Sequence, residues 1–233
     1  MGAVTTLLIA TRNAHKVGEI AAILGPGFRC LSLADAGDLP PVVEDAPTFA
    51  GNAVKKAETV ARALSPRPPE TSGRLFVLAD DSGLEVDALG GAPGVHSARF
   101  AAPDAGTGGN SPDADNNAKL LRLLAGVPPA RRTARFRCVL ALVEVCDGRA
   151  GLPVGQDARP RVPTAPQLFE GACEGRIDFA PRGAGGFGYD PLFIPLGQEQ
   201  SFAELGEDVK NGLSHRANAL AKLRAWFGRP AAR

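Results

Sequence analysis

Asp80 and Asp81 stand where a short apolar run, Leu75–Ala79, gives way to Ser82-Gly83. Carboxylates at the end of a buried strand can bind a hard cation through oxygen and orient a water beside it. Neighbouring strand residues point to opposite faces, so the two aspartates divide the work. One holds the loop and the other faces a cleft. A polar turn closing the strand, with Ser82 and Gly83 as turn residues, is the plainer alternative. Two more carboxylates, Glu44 and Asp45, lie in a loop upstream.

Thr11-Arg12-Asn13-Ala14-His15-Lys16 suggests phosphate chemistry, because it links an apolar run to a helical pattern. Backbone N–H groups at a helix start favour anions. Thr11 and Asn13 add side-chain donors, and Lys16 adds a full charge. The loop lacks the glycines of a P-loop, and a capped helix start with a solvated lysine is the alternative. Lys56 is more specific. Phe49, Ala53, Val60 and Leu64 form one apolar stripe with Lys56 inside it, whereas Lys55 falls on the opposite face near Glu58. A lysine on an inward stripe must snorkel, pair with a carboxylate or meet a ligand anion.

Gly183–Pro195, GAGGFGYDPLFIP, holds Phe187 and Tyr189 among glycines, and Tyr189 is the only tyrosine of the chain. Glycines let a backbone approach a planar ligand, and an exposed aromatic can stack on a base. A glycine-rich turn with core aromatics is the alternative. Lys210, His215 and Arg216 cluster at the start of the last helix, where cations oppose the helix dipole. Such a cluster suits an anion or a carbonyl-rich ligand; a solvated charge run is the plainer reading.

The elements that must position these residues follow from periodicity. Val4–Ala10 reads as a buried strand, followed by a helix carrying Val17, Ile20, Ala21 and Leu24 and stopped by Gly25-Pro26-Gly27. A short strand is expected near Phe28–Leu33, a helix over Thr48–Leu64, and a strand at Leu75–Ala79. Ser65–Arg74 reads as an exposed loop and Ala101–Asn110 as a mobile one. Ser111 is expected to cap a helix with Pro112 at its first position. Thr133–Val145 and Leu168–Ile177 read as antiparallel strands joined by a protruding loop, Cys146–Pro166. Leu192–Ile194 is a last strand. Ser201 and Glu204 form a capping box, and Ser214 caps a helix whose Ala217, Leu220, Leu223 and Phe227 face inward.

With 233 residues the chain can form one domain, 1–233, or at most two close-knit lobes. Lys+Arg 26 against Asp+Glu 25 leaves a formal charge of +1, which argues against a nucleic-acid polymer as partner. Cys30, Cys138, Cys146 and Cys173 lack metal-site spacing and suit reduced thiols in the cytoplasm. Leu7–Ala10 is too short for a signal peptide or a membrane span.

Taken together, ATRNAHK, TFAGNAVKKA, ADDSGLEVDALGGAPGVHSAR, GGFGYDPLF and VKNGLSHRANAL resemble the inosine triphosphate pyrophosphatase family, also called Ham1-like or non-canonical purine nucleoside triphosphatases. The resemblance implies an α/β fold: an elongated mixed sheet flanked by helices, with two lobes around a deep nucleotide cleft, and usually a homodimer. It implies Mg²⁺-dependent hydrolysis of ITP, dITP and XTP to the monophosphate and pyrophosphate. By position it makes Thr11, Arg12, Asn13, Ala14, His15, Lys16 and Lys56 phosphate-side contacts, and Glu44 and Asp81 metal ligands. Asp81 is the implied general base and Ser82 a substrate contact. Phe187, Gly188, Tyr189, Asp190, Lys210, His215 and Arg216 form the implied nucleoside-binding set. Gly51 stands where many members carry Glu. The rivals are a Maf-type pyrophosphatase of modified pyrimidine nucleotides and a nucleotide sensor without turnover.

Overall fold

The computed structural model describes residues 5–37, 39, 41–64, 74–104, 106, 109–145 and 165–228. They fall into two compact units, one drawn from Met1–Asp81 and Val139–Phe169, the other from Ser82–Cys138 and Glu170–Arg233. The two sets of segments interleave along the chain.

In the first unit, β1 (Thr5–Ile9) pairs in parallel with β2 (Phe28–Ser32) and with β3 (Leu75–Val86). Leu7, Leu8 and Ile9 are buried, as expected of a central parallel strand covered on both faces. Helix α1 (Ala14–Leu24) stops at Gly25, whose φ of 69° lies in the region glycine alone enters readily. Helix α2 (Phe49–Ala63) is capped by Thr48, whose side chain accepts from the Gly51 N–H. Gly51 is needed there, because a Cβ would lie 2.8 Å from the Ala46 Cβ.

The second unit contains α3 (Asp113–Leu123), β6 (Phe193–Pro195), α4 (Phe202–Leu213) and α5 (His215–Phe227). Strand β5 (Gln167–Ile177) lies mostly within it, and β4 (Thr133–Glu144) is divided evenly between the two units. Its core gathers Leu84, Leu120, Phe136, Tyr189, Phe193 and Phe202. β6 runs antiparallel to β5. Gly171 on β5 lets the first turn of α5 approach, since a Cβ would collide with the His215 carbonyl.

The strands form one mixed six-stranded sheet, ordered β2-β1-β3-β4-β5-β6. The expected α/β architecture, a mixed sheet with flanking helices, therefore holds. Several details differ. β3 does not end at Ala79 but continues through Asp80–Gly83 to Val86, because its polar side chains find partners and its backbone stays in the strand. α3 starts at Asp113, with Pro112 in the cap position at ψ 142° and Ser111 outside the helix. Lys55 pairs with Asp45, while Glu58 pairs with Arg62. Ala101 and Ala102, at the head of the expected mobile loop, are buried, and the Ala101 N–H donates to Asn116 Oδ1. Of the loops expected at Ser65–Arg74 and Cys146–Pro166, residues 65–73 and 146–164 lie outside the described residues.

Candidate active site

Lys56 occupies the inward stripe of α2, 7% exposed. Its Nζ donates to the Asp80 carbonyl at 2.8 Å, to Asp81 Oδ1 at 3.0 Å and to Glu44 Oε2 at 3.2 Å. Of the three outcomes open to an inward lysine, the protein uses the carboxylate pair. Asp81 Oδ2 accepts from Asn52 Nδ2 at 3.2 Å, and Asn52 Oδ1 accepts from the Ala46 N–H at 2.9 Å. Asn52 thus ties Asp81 to the loop that carries Glu44. The sequence reading passed over Asn52, although it lies one turn before Lys56 on the same buried face, where an amide needs a reason.

Asp80 points elsewhere, as strand alternation requires: its Oδ1 accepts from Lys16 Nζ at 2.6 Å. Asp80 is therefore the holding residue and Asp81 the one gathered with Glu44. Burial pushes the Asp81 carboxyl up, and the charges of Lys56 and Lys16 only partly oppose this. For Glu44 burial acts upward too, but Lys56 and its hydrogen bonds outweigh it, and the net shift is downward. Burial works against the Lys56 charge as well, yet Asp81, Glu44 and Asp80 together hold its pKa above the ordinary value. Two nearby carboxylates thus differ in basicity.

Before α1, Asn13 is the N-cap, and its Oδ1 accepts from the His15 and Lys16 N–H groups. Thr11 Oγ1 accepts from the Asn13 N–H at 3.1 Å. Thr11 is half-buried, while Arg12, Asn13, Ala14 and His15 are exposed. Arg12 Nη2 donates to the Leu39 carbonyl. A cavity of about 170 Å³ is lined by Thr11, Arg12, Glu44 and Lys56 among others. The hollow thus brings together the Arg12 and Lys56 cations, the Thr11 hydroxyl and the Glu44 carboxylate, and Lys56 links it to Asp81.

In the second unit, Asp190 Oδ2 accepts from Lys210 Nζ at 2.6 Å and from the Phe187 N–H at 2.8 Å. A Cβ on Gly186, at φ 73°, would overlap that oxygen. Lys210 Nζ stands 4.4 Å from the centre of the Phe187 ring, and Arg216 Cζ 5.9 Å from it. Arg216, 1% exposed, donates through Nη2 to Ser82 Oγ at 3.0 Å. The His215 ring stacks on Phe136. Tyr189 corrects the expectation of an exposed stacking ring: it is buried in the core, and its hydroxyl donates to the Ser97 carbonyl at 2.9 Å. Phe187, half-buried, has Lys210 and Arg216 over its ring.

Among the described residues no group of three or more His, Cys, Asp or Glu could hold a metal ion. The Glu44–Asp81 pair fits a different pattern: Mg²⁺ is commonly held by one or two carboxylates, with substrate phosphates and water completing its shell.

A model of the Ham1 family matches residues 7–226. The chain is 49% identical to a dITP/XTP pyrophosphatase of Geobacillus kaustophilus, across 93% of this chain and 91% of that protein. It is 47% identical to a dITP/XTP pyrophosphatase of Opitutus terrae, across 94% and 97%. Among solved structures, a HAM1 protein from Coxiella burnetii superposes with TM-score 0.74 at 32% identity, covering 96% of this chain and 98% of that one.

Proposed function

Because the chain belongs to the Ham1 family, we propose that it hydrolyses non-canonical purine nucleoside triphosphates, ITP, dITP and XTP, to the monophosphate and pyrophosphate. The observation that carries this reading is the Asp81–Lys56–Glu44–Asn52 cluster, which suits metal-assisted phosphoanhydride cleavage. Glu44 and Asp81 are the residues that would hold Mg²⁺. When bound, Mg²⁺ supplies charge neutralisation at the phosphates and a more acidic water.

The chain's own residues do the rest. Asp81, the more basic carboxylate, accepts the proton of the attacking water. The water oxygen bonds to the α-phosphorus as the bond to the bridging oxygen breaks, and pyrophosphate leaves. Lys56 keeps the carboxylate pair oriented and lends its charge to the developing negative charge. Thr11, Arg12, Asn13, Ala14, His15 and Lys16 meet the phosphates with side-chain and helix-start donors. Phe187, Gly188, Tyr189, Asp190, Lys210, His215, Arg216 and Ser82 form the nucleoside-side set. Phe187 offers the ring face and Tyr189 holds the loop in place. Donors on Lys210 and Arg216 match a 6-oxo group and mismatch the 6-amino group of adenine.

The reading includes a homodimer in the cytoplasm, supported by the family resemblance and by the thiols of Cys30 and Cys173, which form no disulfide among the described residues. No described helix is long and apolar enough to cross a membrane. The test is pyrophosphate release with Mg²⁺ across ITP, dITP, XTP, ATP, GTP and pyrimidine triphosphates. Rapid turnover of the first three supports the reading. Preference for pyrimidines, or no turnover, overturns it.

A further inference from the structure

Helix α3 has no part in the chemistry described so far, yet it holds the glycine-rich loop. The Gly188 N–H donates to Asp113 Oδ2 at 2.7 Å, and the Gly188 carbonyl accepts from Asn117 Nδ2 at 3.0 Å. Asp113 and Asn117 are four residues apart on α3, so they share a face. Together they grip both polar groups of one residue. Gly188 sits at φ 64°, between Phe187 and Tyr189. The Phe187 N–H is held in turn by Asp190. The Phe187 ring thus hangs between two anchored peptides, under Lys210 and Arg216.

Asn117 is 8% exposed, and its Oδ1 has no hydrogen-bond partner among the described residues. A buried amide with an unmatched oxygen lowers stability. An apolar residue would avoid that penalty but would release the Gly188 carbonyl. Asn116 is the contrast. Its Oδ1 accepts from the Ala101 N–H, and its Nδ2 faces the Ala98 and Ser111 carbonyls at 3.4 Å, all within the fold's scaffolding.

We propose that Asp113 and Asn117 act as a specificity clamp: by fixing Gly188 they set the Phe187 ring where Lys210 and Arg216 distinguish a 6-oxopurine from a 6-aminopurine. The clamp rests on the reading of this loop as the base-recognition element. Both residues touch loop backbone rather than substrate, so they are positioning residues.

The test compares kcat/KM for ITP and ATP in the wild type and in Asn117→Ala, Asp113→Leu, Asp113→Asn and Asn116→Ala. Asn117→Ala and Asp113→Leu should narrow the ITP-over-ATP ratio by about tenfold, the scale of one lost hydrogen bond, with the Mg²⁺ requirement unchanged. Asp113→Asn keeps an acceptor oxygen for the Gly188 N–H and should keep the ratio. Asn116→Ala should lower Tm and leave the ratio alone. Asp113 is exposed, so its leucine variant decides the matter if Asn117→Ala does not fold. An unchanged ratio in the clamp variants, or equal narrowing by Asn116→Ala, overturns the clamp. A wild type with no preference for ITP over ATP would overturn the functional reading itself, a result distinct from a preference that the α3 variants leave intact.

Discussion

Asp80 and Asp81 differ by one position in sequence and by their whole chemical setting. Asp81→Asn should reduce turnover at least ~10²-fold, the scale of general-base loss. An asparagine oxygen can still accept from Lys56, so the fold should persist by circular dichroism. Asp80→Asn weakens the Lys16 contact instead, and should cost about 1.5–3 kcal/mol in denaturant unfolding, the scale of a hydrogen bond to a charged group. Lys56→Ala should cut turnover, because it leaves the buried Asp81 carboxylate, with half-buried Glu44 beside it, without their cation. Lys55→Ala breaks only an exposed pair with Asp45 and should change neither activity nor stability measurably. The raised Asp81 pKa also fixes a sign. Its contribution to the stability of the metal-free protein is present below the ordinary aspartate range and is lost as pH rises through the folded value. Glu44 acts oppositely, its contribution being lost as pH falls through its lowered value. On the proposal that Asp81 holds Mg²⁺, it must shed its proton to do so, and Mg²⁺ affinity should start falling on acidification at a pH above the usual aspartate range. Calorimetric titration of Mg²⁺ across pH checks this.

At the scale of elements, close approach matters as much as hydrogen bonding. Gly171→Ala would push the first turn of α5 away from β5, and with it His215 and Arg216. Overpacking of this kind costs about 1–3 kcal/mol, and turnover of ITP should fall further than the unfolded fraction explains. Stability and kinetics measured on one preparation separate the two effects. The regular elements were legible in the sequence because their apolar spacing carries them: Leu7–Ile9 as a buried strand, the α2 stripe with Lys56 inside it, the Ser201–Glu204 box. Asp80–Gly83 was not, since an acidic pair followed by Ser-Gly has turn composition. Lysines, an amide and an arginine from other segments partner its side chains within the strand. Tyr189 and Phe187 sit in the same glycine-rich stretch, and spacing alone does not say which ring the core takes. The Ser97 carbonyl, 92 residues away in sequence, decides it. Asn52 and Asn117 were missed for the same reason, as their partners lie far along the chain.

At the scale of the molecule, the two units are interleaved in sequence. The unit drawn from Met1–Asp81 and Val139–Phe169 is interrupted by one segment of the other, Ser82–Cys138, which itself resumes at Glu170. A protein made to end at Asp81 lacks the Val139–Phe169 portion of its own unit, including the whole buried apolar run Val139–Val143. Such a fragment should show no cooperative thermal transition, whereas the full chain should melt as a protein of its size; scanning calorimetry of both checks this. The interleaving also bears on biosynthesis. A nascent chain emerging from the ribosome cannot finish its first unit before the first half of its second is already outside. Asp81 follows its partners Lys56 and Asn52 in the chain, yet the unit that holds all three is complete only once Val139–Phe169 has been made.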